Sequence, residues 1–299
     1  MKQARDSERV AVIGAGPAGI AAAVQLQRSG HRPLVFEKGT PGGLIREANN
    51  VENYPGFPDG IPGFALADRL ASHLERLGVR LVMGEVLRLD YTGAEFVIET
   101  AGDVYRASNV IVAPGTKPRR WEGADVSRDA EHRIVSGIIP LRDLRESTVA
   151  VLGGGDAAFD YALHLSRAND VVIVNRSRRT RCLPLLRERA RACARITCLD
   201  DTRIEAVTRG GRGLVLRCRT GEYIRDCEAD YLLTAIGREP ALDFMSEDLK
   251  YNLDALRAER RIWIVGDATA GVFRQTAVAA GTGMRAAMEL DRRLRGDRE

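Results

Sequence analysis

The most constraining feature of this 299-residue sequence is a strand–glycine–helix unit that occurs twice, with first glycines at positions 14 and 153. The first copy runs Arg9-Val10-Ala11-Val12-Ile13 into Gly14-Ala15-Gly16-Pro17-Ala18-Gly19, then into the helical stretch Ile20–Leu26. A second strand, Pro33–Phe36, ends at Glu37. The other copy runs Val149–Leu152 into Gly153-Gly154-Gly155-Asp156-Ala157-Ala158 and an apolar helix through Leu165. Its second strand, Asp170–Val174, ends at Asn175. Glycines at such a junction permit a tight turn, close backbone approach to a pyrophosphate and close packing of helix on strand. The helix N-terminus meanwhile stabilises the negative charge. Both copies therefore read as βαβ units for a dinucleotide. The fold class is α/β, with two Rossmann-like dinucleotide-binding domains, and the length suits two domains.

The copies differ at the end of the second strand. Glu37 stands 23 residues past Gly14, where an acid hydrogen-bonds ribose hydroxyls, as suits the adenosine half of FAD or NAD. The second copy has Asn175 there, followed by Arg176-Ser177-Arg178-Arg179-Thr180-Arg181. A carboxylate repels a 2′-phosphate, whereas guanidinium groups bind it bidentately, so this copy predicts NADP(H) over NAD(H). The same run also reads as a solvated arginine-rich loop.

Around these units, periodicity predicts a helix over Phe64–Leu77 and strands over Arg80–Leu89, Glu95–Glu99 and Val104–Ala113. Leu214–Cys218, Gly221 and Tyr223–Cys227 read as a hairpin, Arg261–Val265 as a buried strand, and a helix starts near Thr276. The longest apolar runs fall far short of the roughly 20 residues a membrane span needs. Met1–Arg9 is polar, with no apolar core of a leader, so the expectation is a soluble cytoplasmic chain with no membrane partner. A net charge of +4 with 5% aromatic residues gives little interleaving for base stacking, and nucleic acid is not an expected partner. The cysteines, Cys182, Cys193, Cys198, Cys218 and Cys227, show neither C-x-x-C nor zinc-site spacing and read as reduced thiols.

Several further motifs occur in one order and spacing. They are Gly42-Gly43-Leu44, then Val51-Glu52-Asn53-Tyr54-Pro55-Gly56-Phe57-Pro58, then Ala113-Pro114-Gly115. Ala235-Ile236-Gly237, Gly266-Asp267 and Arg274-Gln275-Thr276-Ala277 follow the second glycine loop. With both glycine loops, they make the chain resemble the low-molecular-weight thioredoxin reductase family of flavoproteins over nearly its whole length. The resemblance implies an FAD domain at residues 1–115 and 240–299, interrupted by an NADPH domain at 116–239. It implies FAD and NADPH as cofactors and a homodimer formed through the FAD domains. Gly14, Gly16, Ala18 and Glu37 would hold the FAD pyrophosphate and adenosine, with Gly43, Leu44 and Asn53 along the flavin. Asp267 would bind the ribityl chain, and Arg274, Gln275 and Ala277 would lie beside the isoalloxazine. Pro17, Val86, Ala113, Gly115 and Gly266 are implied as further FAD contacts. Gly153, Gly155, Asp156, Ala157 and Asn175 are implied around the nicotinamide nucleotide. Arg176 and Arg181 match phosphate-binding arginines, while Ser177 replaces a third, a loss that Arg178 or Arg179 could make good.

The chain departs from this family in its chemistry. Members carry C-x-x-C-D upstream of the second glycine loop, where a thiol pair takes electrons from the flavin and the acid protonates the outgoing thiolate. Ser136-Gly137-Ile138-Ile139-Pro140 occupies that place here, and no cysteine lies between Leu44 and Thr180. His31, His73, His132 and His164 lie outside the motifs, Asp156 reads as a charge at a helix N-terminus, and no side chain is assigned as a catalyst. Three functions stay open at this point. The first is transfer from NADPH through FAD to a non-thiol acceptor, either an acidic electron carrier such as ferredoxin or flavodoxin, or a quinone or other small molecule. The second is a flavoprotein whose nicotinamide site holds a second flavin or serves no pyridine nucleotide. The third is a non-catalytic FAD-binding sensor.

Overall fold

The computed structural model describes residues 10–296, so the reading of Met1–Arg9 lies outside the described residues. The chain divides into two compact units. The first holds the chain up to Lys117, except Glu47–Asn50, and resumes at Glu239; the second holds Pro118–Arg238 together with Glu47–Asn50.

In chain order, the elements up to the first crossing begin with β1 (Val10–Ile13), α1 (Pro17–Arg28), β2 (Leu34–Glu37), α2 (Gly63–Arg76) and β3 (Arg80–Met83). Then come β4 (Val86–Tyr91), β5 (Phe96–Thr100), β6 (Val104–Ala107), β7 (Asn109–Val112) and the short β8 (Thr116–Pro118). The second unit continues with β9 (Asp125–Val126), β10 (Ile134–Val135), β11 (Thr148–Leu152), α3 (Asp156–Leu165), β12 (Asp170–Val174) and α4 (Pro184–Ala192). Next are β13 (Ile196–Leu199), β14 (Thr202–Gly210), β15 (Gly213–Thr220), β16 (Tyr223–Ala229), β17 (Tyr231–Thr234) and β18 (Arg238–Pro240). The chain closes with α5 (Glu247–Tyr251), α6 (Leu253–Ala258), β19 (Ile262–Ile264) and α7 (Thr276–Arg295).

Each unit is built on a five-stranded parallel sheet. Strand order is β19-β7-β1-β2-β3 in the first unit and β10-β17-β11-β12-β13 in the second. The central strands are apolar and buried over Val10–Ile13 of β1 and Val149–Leu152 of β11 because both of their faces are covered. In the first unit, Val10 and Val12 face a core shared with α1 and α7, and Ala11 and Ile13 face one shared with the antiparallel sheet β4-β5-β6. In the second, Val149 and Val151 face α3 and α4, and Ala150 and Leu152 face the sheet β16-β15-β14-β9. In both sheets the chain turns outward on either side of the first strand. The carboxyl ends of β1 and β11 are thus topological switch points, where open α/β sheets bind ligands.

The predicted helices and the hairpin are present, and two predicted strands are divided. Arg80–Leu89 breaks at Gly84-Glu85, sending β3 to the parallel sheet and β4 to the antiparallel one. Gly84 takes φ +156°, a backbone that L side chains rarely adopt, and its N–H donates to Glu37 O at 2.8 Å. Val104–Ala113 likewise breaks at Ser108 into β6 and β7 of different sheets. No described helix is long and apolar enough to cross a membrane.

Candidate functional site

The first glycine loop follows from β1 meeting its neighbours. Gly14 N–H donates to Phe36 O on β2 at 2.8 Å, and Ala113 N–H, past β7, donates to Ile13 O at 2.7 Å. This pins Gly14 at φ +96°, where a Cβ would stand 2.2 Å from Ala113 O. A Cβ at Gly19 would stand 1.8 Å from Gly14 O, so α1 lies on the strand as closely as backbone allows. Gly16 caps α1 without a side-chain hydrogen bond, and Pro17 opens the helix. The first-turn N–H groups therefore have no intrahelical partner and suit an anion. Next to them, Gly42 N–H donates to Ala15 O at 2.7 Å, and Gly43 at φ +61° would place a Cβ 3.0 Å from Gly16 Cα.

Glu37 is held at this loop. Its Oε2 accepts from Ala15 N–H at 2.7 Å and its Oε1 from Gly39 N–H at 2.8 Å. A carboxylate has about four acceptor positions, so two bonds fix its plane and leave capacity for hydroxyl donors. Elsewhere in this unit Asn53 Nδ2 donates to Gln275 Oε1 at 2.8 Å, joining two predicted residues 222 apart in sequence. Gly266, at φ +72°, donates its N–H to Thr282 Oγ1 on α7 at 3.0 Å, and Asp267 follows it. Gly115 takes φ +67° just beyond Ala113. Leu44 and Ala277 are exposed, Arg274 is half-buried, and Ala18 is buried under α7, where a Cβ at Gly283 would meet Ala18 O at 1.9 Å. Val86 opens β4 with its side chain buried in the core on the far face of the sheet from α1.

The second loop repeats the construction. Gly153 N–H donates to Val174 O at 3.0 Å, and Ala235 N–H to Leu152 O at 2.8 Å. Gly153 takes φ +151°, and a Cβ there would meet Ala235 O at 2.4 Å. Gly155 caps α3 in extended geometry, with open space where its Cβ would be, and Asp156 and Ala157 begin the helix. Asp156 does more than face the helix N-terminus: its Oδ1 accepts from Leu183 N–H at 2.7 Å. Arg181 N–H donates to Gly154 O at 2.7 Å, so the arginine-rich segment is folded back over the glycine turn.

Asn175 is buried, and its Nδ2 donates to Ser177 O at 2.7 Å and to Asp200 Oδ1 at 2.9 Å. A Cβ at Gly154 would lie 2.4 Å from Asn175 Oδ1, which accounts for the middle glycine of the triplet. Arg176, Arg178, Arg179 and Arg181 are all exposed; Arg178 pairs with Asp201 at 3.0 Å and Arg187 with Asp200 at 3.6 Å. Gly42 and Gly154 stand in the sequence motifs without an assigned role, and Asp200 and Asp201 are loop-shaping residues the sequence reading missed. Only the paired glycines Gly42-Gly43 and Gly153-Gly154 offered a local signal.

Over residues 8–283 the chain matches the family described as pyridine nucleotide-disulphide oxidoreductase. The chain belongs to this family. A thioredoxin reductase of Streptomyces coelicolor is 35% identical over 303 residues, covering 96% of this chain and 94% of the relative. Among solved structures, Lactococcus lactis thioredoxin reductase in its FR conformation superimposes with a TM-score of 0.86 at 28% identity, covering 95% of this chain and 97% of the other. The T. acidophilum thioredoxin reductase gives 0.83 at 25% identity, covering 95% and 98%. The chain is thus an FAD-dependent NAD(P)H oxidoreductase of the thioredoxin-reductase-like kind.

The residues present fit the dinucleotides this family uses. Each loop offers an uncapped helix N-terminus beside glycines that a Cβ would obstruct, and the first adds a carboxylate fixed for hydroxyl donors. No cysteine stands at Ser136–Pro140, where the resemblance places the C-x-x-C-D dithiol. Ser136 and Gly137 follow β10, Ile138 is buried, and Ile139 is 56% exposed at the start of a short 3-10 turn through Leu141. Ser136 Oγ lies 3.1 Å from Thr234 Oγ1. All five cysteines are free thiols of the second unit. Burial pushes the Cys218 thiol up to about 12, with Cys227 adding to the shift, and burial followed by Asp200 raises Cys198. These shifts keep both groups protonated and poorly nucleophilic at neutral pH. Cys218 pairs in register with Arg225, and Cys227 with Leu216, so the two are diagonal neighbours on the hairpin.

Proposed function

We propose that this chain oxidises NADPH in preference to NADH and passes the electrons through FAD to an acceptor that requires no protein thiol. The acceptor classes are an acidic carrier such as ferredoxin or flavodoxin, a quinone, or another small oxidant. The observation that carries the reading is the Ser136–Pro140 segment, which offers a hydroxyl, a glycine, two isoleucines and a proline where the thioredoxin reductase resemblance implies a dithiol and an acid. FAD, when bound, accepts a hydride from the nicotinamide and releases the electrons to the acceptor.

The remaining assignments concern this chain's own groups. The FAD domain is residues 1–115 and 240–299, and the NADPH domain is 116–239. Gly14, Gly16, Pro17 and Ala18 seat the FAD pyrophosphate on the α1 N-terminus, and Glu37 holds the ribose of the adenosine. Gly43, Leu44, Asn53, Ala113, Gly115, Gly266, Asp267, Arg274, Gln275 and Ala277 line the rest of that site, with Val86 beneath it. Gly153, Gly155, Asp156 and Ala157 form the second seat, with Arg176 and Arg181 on the 2′-phosphate and Asn175 shaping the loop. No side chain is assigned a proton-transfer role. The chain works as a homodimer, a reading supported by Val278, Met284 and Met288, which are 44%, 42% and 51% exposed on the outer side of α7. Its free thiols suit the reducing cytoplasm.

The test is steady-state NADPH oxidation by the flavin-loaded enzyme with three acceptors: oxidised thioredoxin, ferredoxin and a water-soluble quinone. Turnover with ferredoxin or the quinone and none with thioredoxin is expected. Efficient reduction of the thioredoxin disulfide would contradict the proposal.

A further inference from the structure

We infer that Arg179 completes the cationic site for the 2′-phosphate of NADPH, in place of the arginine that Ser177 has lost; this rests on the NADPH reading above. A phosphomonoester carries close to two negative charges and three acceptor oxygens, more than two guanidinium groups fully engage. The chain offers two candidates for the third cation, Arg178 and Arg179, and the geometry separates them.

The segment is anchored at both ends. Asn175 grips Ser177 from two sides, its Nδ2 donating to Ser177 O at 2.7 Å and its Oδ1 accepting from Ser177 N–H at 3.3 Å. At the other end, Arg181 N–H is bonded to Gly154 O at 2.7 Å, and Leu183 N–H to Asp156 Oδ1 at 2.7 Å. The residues between are therefore held beside the Gly153–Asp156 turn, where the second nucleotide is seated in this reading. Within that span Arg178 turns to the β13–β14 connection. Its Nε donates to Asp201 Oδ2 at 3.0 Å, and Ser177 O accepts from Asp201 N–H at 3.4 Å.

Asp200 and Asp201 are thereby each matched to an arginine, Arg187 and Arg178. Moving Arg178 onto a phosphate would leave the Asp201 carboxylate without its cation close to the incoming dianion, which opposes binding. Arg179 is exposed and forms no ion pair with another described residue, so it engages a phosphate without that exchange. Arg178 accordingly screens the acids, and Arg179 reads the ligand.

The experiment compares 2′,5′-ADP with 5′-ADP by titration calorimetry on the flavin-loaded wild type and on Arg178→Ala, Arg179→Ala and Arg179→Lys. Steady-state kcat/KM for NADPH and NADH is measured alongside. Arg179→Ala is expected to weaken 2′,5′-ADP about tenfold or more while moving 5′-ADP less than about twofold. Its NADPH preference should fall to match. Arg179→Lys keeps the charge and loses the fork, so it should fall between wild type and alanine. Arg178→Ala should change both probes less than about threefold. A loss that follows Arg178 and spares Arg179 would overturn the assignment. So would an equal loss of both probes in Arg179→Ala, which would mean a damaged loop. A wild type that binds 2′,5′-ADP no better than 5′-ADP would overturn the NADPH reading and this inference with it.

Discussion

The two glycine loops are built alike and finished differently. In both, the first glycine donates to the second strand and sits under the carbonyl of an alanine just past the strand on the other side, β7 or β17, with Cβ clearances of 2.2 Å to Ala113 O and 2.4 Å to Ala235 O. In both, a glycine caps the helix with no side-chain bond. They part at the end of the second strand. Glu37 turns towards the loop, bonding Ala15 and Gly39, and keeps acceptor capacity for a ligand. Asn175 turns inward and its amide is committed to Ser177 and Asp200. The shared turn is a steric solution to placing a backbone against a pyrophosphate. In the proposed function, the choice of nucleotide is assigned to the strand-end residue and the loop after it.

The largest effects should come from filling the turns. Gly14→Ala adds a Cβ into Ala113 O at a backbone angle alanine resists, and should cost about 3 kcal/mol or more. The purified protein should then lose most of its flavin absorbance on gel filtration. Gly153→Ala should leave a yellow protein that NADPH no longer reduces. If Gly153→Ala also lost its flavin, the loops would not be independent sites.

Smaller effects should come from the strand ends. Glu37→Ala removes charge-assisted bonds worth about 1.5–3 kcal/mol, so FAD should bind about 10- to 100-fold more weakly by flavin fluorescence titration. Asn175→Asp should not convert the second loop to NADH. It would set a second carboxylate against Asp200, 2.9 Å from the present amide, and a lowered melting temperature with no gain in NADH turnover is expected.

The smallest expected effect is one of pH, confined to the first unit. Burial works to raise Asp291, but hydrogen bonds from Arg295 and His31 outweigh it and hold the carboxyl below its ordinary value. A depressed carboxyl stabilises the folded state fully above its unfolded pKa and loses that contribution as pH falls through the folded value. Asp291→Asn should therefore destabilise the protein by about 1 kcal/mol at pH 7, with the difference closing as pH falls below about 4. Urea midpoints at the two pH values measure it. A difference that grew on acidification would mean the sign is wrong.

How much of this was legible in the sequence follows from the range of each interaction. The glycine turns, Glu37 and the missing dithiol are local patterns and could be read directly. The divided strands could not, because apolar alternation continues through Gly84-Glu85 and Ser108 while the chain changes sheets. Asn175 could be seen as a missing acid, yet its commitment to Asp200 depends on a residue 25 positions away. Gly283 carries no local signal in the sequence, and only the fold shows that a Cβ there would run into Ala18 O, because α7 lies on α1 at backbone distance. Arg178 and Arg179 were equivalent neighbours in the sequence, and Asp201 alone distinguishes them.

If electrons meet no dithiol in this chain, an anaerobic reductive titration counts only those that the flavin takes up. FAD and a disulfide are each two-electron couples, so a flavin-only enzyme and a flavin–dithiol enzyme differ twofold in capacity. NADPH is added to the flavin-loaded protein and the visible flavin band followed to its endpoint, with dithionite as a check on total capacity. The account predicts bleaching complete at about one equivalent per FAD by either reductant, with five free thiols before and after. An endpoint near two equivalents with new thiols appearing, or a flavin that NADPH leaves oxidised, would contradict it.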